Sequence, residues 1–138
     1  MTRSEAQPAW EKIVELGFSD YDKLTRAQRV WFNVEALIVD GLWDHYMNHE
    51  ADNNAQTIED LEYLNFHSVA NQLRDFNTIY FKDGVPKGPD ARWVQFDKFP
   101  EDEREIYIED MDKKFWNVSD DLEKALHEHI NNTGIGEI

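Results

Sequence analysis

The sequence predicts an all-α fold, a single domain built as a compact helical bundle of about six to seven helices with one long loop packed against it. Three observations predict it. Apolar residues recur at i, i+3, i+4 and i+7 through most of the 138 residues. Period-two alternation, the mark of a half-buried strand, is almost absent. Aromatic residues make up 13% of a chain whose mean hydropathy is -0.74, so large side chains are available to fill a core despite the polarity.

The elements follow in order. Residues 5–17 place Trp10, Ile13, Val14 and Leu16 near helical spacing, with Gly17 as a candidate C-cap. Phe18 to Lys23 reads as a connector. Thr25 is a candidate N-cap with Gln28 at capping-box distance. Ala27, Val30, Trp31, Val34, Leu37 and Ile38 then give the clearest helical stripe in the chain. Asp40-Gly41 interrupts it, and a short helix is expected from Leu42 to about His49. Ala51 to Asn54 looks like a turn. Ile58, Leu61, Leu64 and Phe66 suggest a further helix capped by Thr57, and Ser68 caps the next, carried by Val69, Leu73, Phe76, Ile79 and Tyr80.

Lys82 to Pro100 holds all but one of the prolines and reads as the long loop, with a little extended structure at Trp93–Phe96. Trp93, Phe96 and Phe99 are the side chains expected to pack it onto the helices. Pro100 with Glu101, Asp102 and Glu103 suits a helix start, because acids favour the positive end of the dipole. Ile108, Met111 and Phe115 carry that helix. Ser119 caps the last one, with Leu122, Leu126 and Ile130 as its apolar face. Residues 1–4 and 131–138 are expected to fray.

Charge narrows the function. There are 29 acidic against 14 basic residues, a formal net charge of -15. Such a chain repels nucleic acid and anionic lipid and attracts basic surfaces. Basic patches interleaved with aromatics are missing, which argues against direct DNA or RNA binding. No apolar run approaches the ~20 residues of a bilayer span. The N-terminal stretch has no apolar signal region. There is no cysteine, which fits a reducing cytoplasm.

Catalytic signatures are absent too, and the sequence reads as a binding protein, not an enzyme. The glycines lack phosphate-loop spacing, and no serine has a nucleophile context. His45 and His49 stand at i, i+4, where two histidines on one helix face hold a metal, but Tyr46 occupies the place a zincin glutamate would need. Metal binding and a metal-dependent enzyme on that face are therefore the weak alternative, and no cofactor is expected.

The acids are clustered. Asp97 to Glu123 contains eleven of them. On a helix, Glu101, Glu105, Glu109 and Asp112 share one stripe, with neighbours about 5–6 Å apart. Like charges at that spacing repel, so the row is either a solvated acidic face with no partner or a feature the fold keeps for use. A second stripe is expected from Asp40, Asp44, Glu59, Asp60 and Glu62 around the short central helix. An ordered row of carboxylates suits imitation of a phosphate backbone.

Leu24-Thr25-Arg26-Ala27-Gln28-Arg29-Val30-Trp31, leading into Val39-Asp40-Gly41-Leu42-Trp43-Asp44-His45-Tyr46-Met47-Asn48, resembles the bacterial DNA-mimic protein family. Gly41, Tyr46 and Asn48 match the family's Asn-Gly-Gly-Phe-x-Gln-Tyr-Phe-x-Asn segment, and Leu42 replaces its apolar residue. Val39-Asp40 stands where Asn-Gly is usual, Asp44 replaces the glutamine and His45 an aromatic residue. Thr57–Leu64 and Ile108–Trp116 are similar to two later helices of the family, so the likeness spans roughly residues 20–130. The resemblance implies an all-α fold, a homodimer, no cofactor, and inhibition of a basic DNA-binding protein, such as a transcription factor, by charge mimicry. It also leaves room for a toxin-immunity type of inhibitor.

Overall fold

The computed structural model describes residues 1–137, and among them the chain is all helical. Seven α-helices follow one another: α1 (Gln7–Ser19), α2 (Arg26–Met47), α3 (Asn54–Tyr63), α4 (His67–Tyr80), α5 (Pro89–Phe96), α6 (Glu101–Trp116) and α7 (Ser119–Thr133). Two 3-10 turns, Tyr21–Lys23 and His49–Asn53, lead into and out of α2.

Helix α2 is the hub, packing against α1, α3, α5, α6 and α7. It starts on the expected capping box: Thr25 Oγ1 accepts from the Gln28 amide at 3.2 Å, and Gln28 Oε1 accepts from the Thr25 amide at 2.9 Å. Its stripe of Val30, Trp31, Val34 and Leu37 is buried. Each such side chain contributes roughly 1.5–3 kcal/mol relative to exposure. A second cluster is aromatic. Tyr46 stacks on Phe76 at 4.2 Å between centroids, and Tyr80, Phe81 and Phe96 close around that pair.

The break expected at Asp40-Gly41 is real and has a clear geometry. Gly41 takes φ 86 and ψ 175, a region that essentially only glycine populates. A Cβ there would lie 2.8 Å from the Trp116 ring. The break exposes a new helix start, and a different helix caps it: Asp112 Oδ1 of α6 accepts from the Trp43 amide at 3.2 Å.

Several boundaries differ from expectation. Gly17 is not a C-cap, since α1 continues to Ser19; the glycine is needed because a Cβ would collide with the Phe32 ring. Helix α3 begins at Asn54, and Thr57 is buried inside it, donating to the Asn53 carbonyl at 2.9 Å. Neither Ser68 nor Ser119 caps a helix; Ser119 Oγ donates backwards to the Trp116 carbonyl at 3.1 Å. The stretch 82–100 is not one long loop, nor is Trp93–Phe96 extended. It contains α5, with Pro89 in the first turn and Gly88 before it at φ 86. Phe96 from this helix is buried, so the expectation that the stretch packs onto the bundle holds. At the C-terminus α7 runs to Thr133, and Ile135 packs on the core.

Candidate protein-binding surface

The acids of the two expected stripes meet different fates. Those on α3 are neutralised. Asp60 is fully buried, with Arg29 Nη2 donating to it at 2.6 Å and Asn33 Nδ2 at 2.9 Å. The hydrogen bond that Arg29 donates to Asp60 raises the Arg29 pKa, outweighing the burial that lowers it. Glu59 is exposed but lies 3.3 Å from the same guanidinium. Glu62 is bonded by Arg74 at 2.5 Å and by His67, and these partners hold its carboxyl below its ordinary range. Five of the six arginines are committed to such pairs, the others being Arg3–Glu35, Arg92–Asp52 and Arg104–Asp97.

Helix α6 is different. Glu101, Glu105 and Glu109 are exposed and have no ion-pair partner among the described residues. Seven of its sixteen residues are acids against three cations, Arg104, Lys113 and Lys114. Asp112 ends the row by turning inward to cap the second half of α2. Burial raises its pKa most, the bond from the Trp43 amide opposes that, and the charge of Asp44 adds to the rise.

Asp44 therefore belongs with α6, not with α3. Asp40 and Asp44 also converge on Glu50, which is pushed up to about 8 by burial first and by these two carboxylates next. The structure sets Asp44 near Asp112, and Asp40 and Asp44 near Glu50, lines one groove with Glu101, Glu105 and Glu109, and holds Glu59, Asp60 and Glu62 in ion pairs of α3. Glu50 was missed by the sequence reading; its only signal was the end of the central helix beside Asp40 and Asp44.

The expected histidine pair does not share a helix face, because α2 ends at Met47. His45 is buried, accepts at Nε2 from Asn54 Nδ2 at 3.0 Å, and is pushed down to about 3 by burial and by Arg92. His49 is exposed and lies 3.3 Å from Asp52. Among the described residues no group of three His, Cys, Asp or Glu side chains is placed to hold a metal, and no helix is long and apolar enough to cross a membrane.

A model of the DMP19-like protein family matches residues 22–133. The chain belongs to that family, the DNA-mimic proteins. No curated protein and no solved structure matches the chain. The match runs from the 3-10 turn before α2 to the end of α7 and leaves α1 outside.

Gly41, Tyr46 and Asn48, which carry the sequence resemblance, build the joint at the end of α2. Gly41 makes the break. Tyr46 donates to Asn77 Oδ1 at 2.6 Å, and Asn77 Nδ2 donates to Asn54 Oδ1 at 2.8 Å. Asn48 Oδ1 accepts from the Glu50 amide at 2.8 Å, capping the second 3-10 turn. Fully buried Arg92 closes the joint, donating to the Tyr46 carbonyl at 2.6 Å, to Asp52 Oδ1 and the Pro86 carbonyl at 2.9 Å each, and to the Asn48 carbonyl. Burial pushes Asp52 up, but the bonds from Arg92, Gly88 and His49 outweigh it and hold the carboxyl below its usual range.

Proposed function

We propose that this protein is a non-catalytic inhibitor that captures a basic DNA-binding protein, such as a transcription factor, in the cytoplasm by offering the α6 row in place of a phosphate strand. One observation carries the reading. The arginines neutralise the acids of α3 and the joint, while Glu101, Glu105 and Glu109 stay bare on a rigid helix. Membership in the DMP19-like family supports it, since mimicry of DNA charge is what that family is named for. An exposed acidic row repels phosphate, which supports a protein partner over direct nucleic-acid binding.

The test is capture from a cell extract on the immobilised protein at low ionic strength. A basic DNA-binding protein should be retained, released between roughly 50 and 200 mM salt, and displaced by duplex DNA. The Glu101→Gln, Glu105→Gln, Glu109→Gln triple variant should lose it. Retention that ignores both salt and competing DNA would end the mimicry reading.

A further inference from the structure

Beside the bare carboxylates lies something a phosphate strand does not have. Trp43, Trp93, Phe96 and Ile108 line a groove of about 350 Å³ between α2, α5 and α6, and Glu101, Glu105 and Glu109 stand along it. Its floor is rigid: Phe96 is buried, with its ring 4.8 Å from Trp43 and 6.0 Å from Trp93. Arg104 braces it from below, its guanidinium 5.1 Å from the Phe96 ring and 5.6 Å from that of Trp93, with Nη1 donating to Asp97 at 3.3 Å. Trp93 remains 45% exposed over this support.

A cation groove that reads phosphates alone would leave that tryptophan face in water. Half-exposed tryptophan on a packed base is the kind of surface that anchors protein interfaces. Carboxylates recurring at i, i+4 alongside it select the chemistry of whatever docks. We propose that the groove receives a basic amphipathic helix of the partner, its lysines or arginines against Glu101, Glu105 and Glu109 and its apolar side chains against Trp93 and Ile108. The proposal rests on the charge-capture reading above and adds to it an apolar, salt-insensitive component of binding.

Two synthetic helical peptides of equal length and equal lysine content separate the two ideas. One carries leucines at i and i+4 between the lysines; the other carries glutamines there. Each is labelled and titrated into the full chain by fluorescence anisotropy, at low and at high salt. The leucine peptide should bind roughly tenfold more tightly, and its advantage should persist as salt rises. Trp93→Ala should abolish the advantage while leaving the lysine-dependent part. Ile108→Ser does the same duty should Trp93→Ala fail to fold by circular dichroism. The triple glutamine variant should weaken both peptides.

Equal affinities for the two peptides would overturn the groove proposal and leave charge capture standing. A leucine advantage that survives in both groove variants would overturn it as well, since the apolar contact then lies elsewhere. Binding of neither peptide would bring down both readings together.

Discussion

Helices α3 and α6 both present acids on neighbouring turns, and the chain treats them in opposite ways. On α3, Asp60 is buried against Arg29 and Asn33, and Glu62 is held by Arg74 and His67. On α6, Glu101, Glu105 and Glu109 are exposed and make no ion pair among the described residues. The α3 carboxylates are structural: their charge is spent inside the molecule and contributes little to the field outside. Glu101, Glu105 and Glu109 leave their charge in the field outside, while Asp112 of the same helix serves the fold by capping the second half of α2. A formal charge of -15 is therefore a poor guide to where a partner would bind. What matters is which acids the arginines have left alone.

The sharpest way to break this contrast is Asp60→Ala. It strands Arg29 and Asn33 beneath the surface, and unfolding in urea should show a loss of about 2–4 kcal/mol. If Asp60→Ala is as benign as the α6 variants, the distinction between the two helices is empty. Gly41→Ala comes next. It forces a side chain into a glycine-only region and against Trp116, which should cost about 1–3 kcal/mol and loosen the Asp112 cap that joins α6 to α2.

Glu50 gives a pH-dependent intermediate case, half interior and close to Asp40 and Asp44. Its folded pKa is raised to about 8, above the unfolded value of 4.5. Unfolding in that window releases a proton, so the wild type loses stability as pH rises through it. Glu50→Gln removes the loss. The two proteins should melt alike near pH ~4.5, and the variant should melt several degrees higher near pH ~9, a gain of order 1 kcal/mol. A variant that melts lower at alkaline pH would mean the carboxylate is paired in the fold. The smallest effect is expected from the α6 triple glutamine variant, whose stability should stay within about 0.5 kcal/mol of wild type even as binding disappears.

What the sequence disclosed was whatever is local. The capping box at Thr25 and Gln28 lies within four residues, and both of its bonds form. The Asp40-Gly41 break was visible because a glycine interrupts a strong stripe, and the Glu101, Glu105, Glu109 row because helical periodicity fixes it. The hidden part is held at long range. Helix α5 sits in a proline-rich stretch of weak propensity and is tied down by Arg92, which reaches residues more than forty positions earlier. Asp60 looked like a surface acid because its partners, Arg29 and Asn33, lie a whole helix away. One clue was present. Arg29 and Asn33 stand four apart beside the apolar stripe of Val30, Val34 and Leu37, and polar groups in such a place demand a buried counterpart. Read that way, the sequence would have withdrawn Asp60 from the stripe, though it would not have chosen which acid met them.

The bare row on α6 also sets a condition on any contact between copies of this chain. Two such rows placed face to face would repel, so self-association is steered to other sides of the molecule. An assembly built that way presents the same unoccupied edge on every subunit, and its reach for a cationic visitor grows with each copy added.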